Sequence, residues 1–269
     1  MSTPIVTKDD IKNALVSVGL KAGDICIFHS SYKSFGTVEG GAQTVIDAFE
    51  EVLGKEGTLV APTLIQTGFE YAYETWYMDK PSDVGYLTEY FRKLMYVYRS
   101  NQPTHSVAAR GKLAFELTYE HSLRGPHTTP FGDYAFSDGS PWQKMYDLDA
   151  KIVFIGVDMT RNTMKHLVES RFSEWALSQI KDEEKLARMK AQVKRYDYGA
   201  GVWPYYQGFL MQNRLDEAGL LRSTTCGNAT ILCVNAKESC DYTMMKLQTE
   251  PERYLKPDAV EWVRECLSE

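Results

Sequence analysis

The chain has 269 residues, and 30 Lys and Arg stand against 36 Asp and Glu, which gives a formal net charge of −6. With 43% hydrophobic and 25% charged residues, the composition is that of a globular protein and excludes an intrinsically disordered chain. The acidic balance argues against a nucleic-acid partner, because such proteins normally carry a basic excess.

The cysteines, the start of the chain and its apolar runs restrict the class of protein further. Five cysteines is an odd number and none form a CxxC pair, so we expect neither a zinc site nor a disulfide framework. Charged residues follow residues 1–4 without an apolar stretch, so a signal peptide is not expected. Since no run approaches about 18 apolar residues, we predict a cytoplasmic protein without a membrane span.

Helix and strand signals alternate in the first part of the chain. Thr7 stands in an N-cap position with Asp10 three residues later, close to a capping box. The predicted elements are, in chain order, a helix at 7–20, a strand at 24–28, a helix at 40–53 and a strand at 58–62. This alternation is typical of an α/β fold.

The remaining elements are predicted with larger irregular segments between them. They are a long loop at 66–86, a helix at 87–94, mostly non-regular chain at 96–111, a Gly/Pro/His-rich stretch at 121–143, a strand at 151–157, a helix after 162, a strand at 229–236 and a terminal helix from 256. No internal repeat, low-complexity tract or linker is found. We therefore predict one domain over residues 1–269, with an idiosyncratic region at about 171–225.

Several common catalytic motifs are absent from the sequence. It contains no GxxxxGK[ST], no GxSxG and no HExxH, which excludes the P-loop type, the usual α/β-hydrolase nucleophile and the zinc-protease helix. His121 and His127 are six residues apart, but a metal site needs a third ligand that the sequence does not offer. No metal is expected.

Polar residues follow the first predicted strand, where ligands bind in α/β sheets. His29, Ser30 and Ser31 offer an imidazole, two hydroxyls and backbone N–H groups, which suit an anionic or thioester ligand. The alternative is a turn whose serines satisfy local backbone donors. The Gly-rich segment 34–41 precedes a predicted helix, and the free N–H groups at a helix N-terminus can bind phosphate. The alternative is a simple Gly-rich loop without a ligand.

Two further clusters carry groups suited to chemistry. The first contains Arg99 and Ser100, with His105 and Ser106 nearby. Arg99 is suited to bind a phosphate through two hydrogen bonds, and the alternative is a surface arginine in a loop.

The second cluster follows the strand predicted at 151–157. Thr163 and His166 share a helix face, and Glu169 lies three residues further on. An imidazole beside a hydroxyl and a carboxylate suits general base chemistry near pH 7, although a lone helical histidine is also commonly structural.

These residues resemble the aminoglycoside 3-N-acetyltransferase family, whose fold is unrelated to that of the GNAT acetyltransferases. The matching segments are HSS at 29–31, the glycines 40–41 with their helix, GTLVAPT at 57–63, RSNQP at 99–103, SPW at 140–142 with the strand 152–157, and TMKHLVE at 163–169. They keep the order found in the family and cover about residues 8–170. The segment 227–229 is similar too.

The resemblance implies a three-layer α/β/α fold around a mixed sheet, and acetyl transfer from acetyl-CoA to an amine of an amino sugar. It places coenzyme A against His29, Ser30, Ser31, Tyr32, Lys33 and Ser34, with Arg99, Ser100 and Ser106 assisting. It identifies His166 as the catalytic histidine, beside Thr163 and Glu169. The implied partners are small molecules, with no nucleic acid and no membrane, and a homodimer is compatible with the sequence.

The sequence departs from the family pattern around the acceptor. Gln102 stands where many members have His, Lys165 stands where an apolar residue is usual, and residues 171–225 do not match. The acceptor is predicted to be an aminoglycoside held by carboxylates, for which Asp79, Glu174 and Glu217 are candidates. The alternative acceptor is a nucleotide-linked amino sugar used in surface polysaccharide synthesis. Aromatic residues near 69–78 and 203–209 could stack on its base or sugar, although they could also pack in the core or in loops.

Two hypotheses of another class stay open from the sequence. A binding protein that retains affinity for coenzyme A without turnover is opposed by the intact Thr163, His166 and Glu169. An anion-binding scaffold would bind no coenzyme A at all. For the enzyme, we expect direct transfer in a ternary complex, because no activated nucleophile is visible.

Overall fold

Short strands and helices alternate along the chain in the computed structural model, which describes residues 5–196 and 200–268. The strands are β1 (Ile5–Val6), β2 (Ile25–Ser30), β3 (Thr37–Val38), β4 (Thr58–Pro62), β5 (Tyr98–Arg99), β6 (Val107–Gly111), β7 (Lys151–Ile155), β8 (Arg222–Cys226) and β9 (Ala229–Asn235). The helices are α1 (Lys8–Ser17), α2 (Gly41–Leu53), α3 (Ala72–Thr75), α4 (Tyr86–Arg92), α5 (Ala114–Thr118), α6 (Pro141–Asp147), α7 (Lys165–Ser178), α8 (Glu183–Ala191), α9 (Gly208–Glu217), α10 (Ala236–Thr249), α11 (Pro251–Tyr254) and α12 (Pro257–Leu267). Residues 1–4, discussed above in connection with a signal peptide, lie outside the residues that the structure describes.

A mixed sheet of seven strands organises these elements, in the order β5-β6-β4-β2-β7-β9-β8. The central strand β2 pairs in parallel with β4 and β7, and Ile27 lies opposite Val60 and Ile152. The outer strands pair antiparallel on both sides. The carboxyl ends of β2, β4 and β7 therefore meet at one edge of the sheet.

Alternating side chains of the sheet enter two separate hydrophobic cores. Ile27 and Phe154 belong to the core covered by α5, α6, α7, α9, α10 and α12. Phe28 and Val153 belong to the core covered by α1, α2 and α4. Because neighbours in a strand point to opposite faces, both faces of the sheet are buried. The predicted three-layer α/β/α fold is confirmed.

The first helix begins as the local pattern predicts. The Asp10 amide donates to Thr7 Oγ1 at 3.2 Å, and the Thr7 amide donates to Asp10 Oδ2 at 2.9 Å, which forms the predicted capping box. The segment 96–111, predicted as mostly non-regular, also contains the short strands β5 and β6, which the sequence did not predict. Both strands are short and lack a strong alternating pattern; β6 pairs with the buried β4, and β5 pairs with β6.

The region 171–225 contains the rest of α7, then α8, α9 and β8. Met189, Trp203 and Met211 from this region are buried in the same core as the sheet residue Phe154. The helices of residues 171–225 thus extend the layer that carries His166.

Three structural findings bear on the expected class of protein. Among residues 5–196 and 200–268, no helix is long and apolar enough to cross a membrane. Within the same residues, no group of three His, Cys, Asp or Glu side chains is arranged to hold a metal ion. All five cysteines are buried free thiols.

Candidate active site

A cleft of about 780 Å³ lies at the carboxyl edge of β2, β4 and β7. It is lined by the end of β2 and by the segments that follow each of the three strands. Of the residues predicted from the sequence, the cleft brings together His29, Ser30, Ser31, Tyr32, Lys33, Thr163 and His166. This is the position where ligands bind in open α/β sheets.

His166 and Glu169 form a hydrogen-bonded pair in the first turns of α7. The distance between His166 Nδ1 and Glu169 Oε2 is 2.6 Å, and Glu169 is fully buried. An ionised carboxylate only accepts hydrogen bonds, so Nδ1 carries the proton of this bond. In the neutral imidazole, Nε2 is then free to accept a proton. The pair has the arrangement that a general base requires.

Residues from a distant part of the chain hold Glu169 in place. Trp203 Nε1 donates to Oε2 at 3.0 Å, and the Tyr206 amide donates to Oε1 at 3.3 Å. The Lys165 ammonium lies 3.5 Å from Oε1 and donates to the Tyr206 carbonyl at 3.1 Å. A buried carboxylate needs such partners, because leaving it unpaired is very unfavourable. The sequence suggested stacking or packing for these aromatic residues and missed this role.

Aromatic rings surround the His166 imidazole. Its ring centroid lies 4.4 Å from that of Phe131, 5.8 Å from Phe136, 5.6 Å from His105 and 6.3 Å from Tyr205. Burial, with smaller contributions from His166 and His121, lowers the pKa of His105 well below its usual range. His105 is therefore neutral near pH 7. These four neighbours were not predicted, since nothing local in the sequence places them beside His166.

The last two residues of β2, His29 and Ser30, line the cleft and each has a buried side-chain atom without a partner among the described residues. His29 Nε2 and Ser30 Oγ are buried and make no hydrogen bond to the described residues. The His29 ring stacks on Phe154 at 5.4 Å, and burial lowers the pKa of His29 to about 3, so the ring is neutral near pH 7. Buried polar groups are normally paired, so these two atoms are exceptions that lie next to the cleft.

The neighbouring Ser34 has a different position. Its hydroxyl donates to the Ser31 carbonyl at 2.6 Å, and it lines a second cavity of about 590 Å³ beside the cleft. Thr160 and Arg161 line both spaces. Ser34 therefore shapes the turn that carries Ser31.

Arg99, Ser100 and Ser106 lie outside the lining of the cleft. The Arg99 guanidinium donates to the backbone oxygens of Thr63 at 2.9 Å, Met78 at 2.8 Å and Lys80 at 2.5 Å. Ser100 and Ser106 are fully buried, and their hydroxyls are bonded within the protein. The structure gives all three residues contacts that hold loops beside the cleft.

The three predicted acceptor carboxylates are also not brought to the cleft. Asp79 is exposed, Glu217 pairs with Arg214, and Glu174 pairs with a histidine in another cavity. The carboxylate that lines the cleft among the described residues is Asp83, which accepts hydrogen bonds from the amides of residues 66 and 67 at 2.7 and 2.6 Å. No sequence signal distinguished it from other loop acids.

Comparisons with known proteins agree with this architecture. A family model described as aminoglycoside 3-N-acetyltransferase matches residues 27–248. The prophage-derived aminoglycoside N(3')-acetyltransferase-like protein YokD of Bacillus subtilis (strain 168) is 30% identical over 187 residues, which is 61% of this chain and 65%, just under two thirds, of that relative.

Solved structures show the same fold. Aminoglycoside acetyltransferase AAC(3)-IVa, as apoenzyme, aligns with a TM-score of 0.71 and 20% identity over 99% of this chain and 100% of its own. AAC-IIIb, in a binary complex with CoASH, aligns with a TM-score of 0.67 and 18% identity over 94% and 99% of the two chains. The chain belongs to the aminoglycoside 3-N-acetyltransferase family.

Proposed function

We propose that this protein transfers the acetyl group of acetyl-CoA to an amine of an aminoglycoside, at the 3-amino group that the family's description names, with His166 as general base. The observation that carries the proposal is the His166 imidazole at the cleft, held through Nδ1 by the buried Glu169. This geometry leaves Nε2 free to take a proton from the acceptor.

Residues at the cleft supply the base that acetyl transfer to an amine requires. Acetyl-CoA is already an activated thioester, but an ammonium is not a nucleophile and must first lose a proton. His166 Nε2 accepts a proton from the amine nitrogen, which attacks the thioester carbonyl carbon. The C–S bond then breaks, and the leaving thiolate takes a proton from the His166 imidazolium, which restores the neutral base. Glu169 stabilises the imidazolium that forms. Thr163, which lines the cleft, is placed to support the oxyanion, an interaction worth roughly 3–4 kcal/mol per donor.

Coenzyme A is proposed to lie along the end of β2. His29 and Ser30 line the cleft where a pantetheine arm would lie, and Lys33 fits phosphate. The CoASH complex of AAC-IIIb supports a coenzyme A site in this fold. We propose that Arg99 acts indirectly, by holding the loop beside that site.

The aminoglycoside class is favoured over a nucleotide-linked amino sugar. The matching family model and the relatives reported above all carry aminoglycoside acetyltransferase names. Asp83 is the candidate group for a second ammonium of the acceptor.

The test is the release of coenzyme A thiol from acetyl-CoA, measured against aminoglycosides and nucleotide-linked amino sugars with the wild type and His166→Ala. We expect turnover on aminoglycosides, and a variant that loses turnover while its Kd for acetyl-CoA changes little. Near-normal turnover of the variant would remove His166 from its role. Binding of acetyl-CoA without turnover on any acceptor would favour a binding protein, and no binding would favour a scaffold.

A further inference from the structure

The aromatic surroundings of His166 depend on an irregular segment, residues 120–140, which we call the wall loop. Phe131 and Phe136 of the wall loop provide two of the rings next to His166. The Phe131 carbonyl accepts hydrogen bonds from Thr104 Oγ1 at 2.7 Å and from the Tyr73 hydroxyl at 3.3 Å. These bonds attach the wall loop to Thr104 and Tyr73, whereas its contacts with His166 on α7 are ring contacts without a hydrogen bond.

His127 connects the wall loop to α7. Its Nε2 lies 2.9 Å from Asp138 Oδ1, within the wall loop, and its Nδ1 contacts Glu174 Oε1 on α7. A neutral imidazole has one N–H, so donating to both carboxylates requires the imidazolium. The hydrogen bond to Glu174 raises the pKa of His127 to about 9, burial opposes the shift, and the bond to Asp138 adds to it.

The helix that receives this contact is the one that carries His166. Glu174 follows His166 by about two turns of α7. Because a helix is stiff over this distance, a bond at Glu174 sets the position of the wall loop relative to the His166 imidazole. His127 is half-buried, with 23% of its side chain exposed, and it makes no contact with the cleft itself.

Other charged groups near His127 are weaker influences. Lys190 of α8 and Arg195 line the same cavity of about 480 Å³ as His127 and Glu174, and their charges oppose protonation of the ring. The pKa of His127 is nevertheless raised, so the two carboxylates dominate. Arg124 and Glu120 form a 3.2 Å ion pair within the wall loop that does not reach α7.

We propose that His127 is a positioning residue for acetyl transfer: by bridging Asp138 and Glu174, its imidazolium holds the wall loop, and with it Phe131, against His166. The inference rests on the proposed function. Loss of the His127 proton leaves one ring nitrogen without hydrogen, breaks one of the two bonds and frees the wall loop to move. Turnover then falls on the alkaline side.

The experiment compares His127→Gln with the wild type and with the control Arg124→Gln, which removes an ion pair confined to the wall loop. A glutamine amide has one NH2 group and cannot donate from opposite sides to two carboxylates. We expect wild-type kcat to fall with a midpoint near pH 9. Near neutral pH, His127→Gln lowers kcat by about tenfold with little change in the KM for acetyl-CoA, and it lacks that midpoint. The control keeps the wild-type profile.

Hydrogen exchange provides a readout that needs no turnover. The wall loop amides are expected to exchange faster in His127→Gln than in the wild type at the same pH, and not in the control. In Glu174→Gln, which retains an acceptor for Nδ1 but loses a charge, the alkaline midpoint should move to lower pH.

A His127→Gln protein with wild-type kcat and the same alkaline midpoint would overturn the proposal, as would unchanged exchange in the wall loop. If the wild type acetylates no acceptor but the wall loop still exchanges faster in His127→Gln, the proposed function is refuted and the bridging role of His127 stands.

Discussion

Replacing Glu169 with Gln tests the centre of the site with a change of almost no volume. Glu169 Oε2 accepts hydrogen bonds from His166 Nδ1 and Trp203 Nε1, and Oε1 accepts one from the Tyr206 amide and lies 3.5 Å from the Lys165 ammonium. A glutamine amide has one oxygen and one NH2 group. Whichever way it turns, the NH2 group faces two donors.

Both orientations are costly, for different reasons. With the NH2 group toward Tyr206 and Lys165, the Tyr206 amide loses its acceptor, at about 1–3 kcal/mol, and Lys165 loses its ion-pair partner but keeps its bond to the Tyr206 carbonyl. With the NH2 group toward His166, the imidazole avoids a clash only by moving its proton to Nε2, and it can no longer act as a base. We expect a loss of about 3 kcal/mol in the free energy of unfolding and a fall in kcat of at least about 100-fold.

The assay is thiol release at saturating acetyl-CoA and acceptor, together with urea unfolding. Glu250→Gln is the control, because Glu250 forms a 2.7 Å ion pair with Lys246 on the surface, and it should change stability by less than about 0.5 kcal/mol. A Glu169→Gln enzyme with kcat within tenfold of the wild type would refute the reasoning, since its histidine would not depend on the carboxylate.

Two further predictions concern the surroundings of the site. Arg99→Met should lower the free energy of unfolding by about 1–3 kcal/mol, because it removes charged donors from one exposed and two partly buried backbone carbonyls, with little change in the Kd for acetyl-CoA. A raised Kd with unchanged stability in urea would instead support direct contact with coenzyme A. Burial lowers the pKa of His29, His105 and His121, so the unfolded chain binds more protons below about pH 6.5 and stability falls on acidification. His29 and His121, each with a pKa of about 3, contribute about 1.4 kcal/mol per pH unit between about pH 6 and 4, and equal unfolding midpoints in urea at pH 7 and 5 would contradict this.

Several features of this protein were predictable because they depend on neighbours in sequence. The Thr7 and Asp10 capping box spans one helical turn, and so does the His166 and Glu169 pair. The buried strand at 25–30 was recognisable from its apolar run, although β2 extends further than predicted and includes His29 and Ser30. That extension buries His29, a placement that follows from pairing with β7.

Other features follow from contacts between residues far apart in the chain. Trp203 and Tyr206 reach Glu169 across 34 and 37 residues, and Glu174 turns to His127 and away from the cleft across 47. Arg99 is a phosphate-binding residue type, yet its donors meet backbone carbonyls 19 to 36 residues away. The type of a side chain determines which partners it can bind, and only the packed structure decides which partner is near.

The sequence by itself determined the α/β architecture, the spacing that pairs His166 with Glu169, and a polar segment at the end of β2. These depend on hydrophobic periodicity and on spacings of three or four residues, which fix the face of a helix or strand locally. Only the tertiary structure decided the pairing of the outer strands, the partners of Glu169 and the carboxylate that faces the cleft. Those features depend on strand order and on the paths of loops. Their free energy comes from burial and pairing between segments far apart in the chain, which local sequence patterns do not predict.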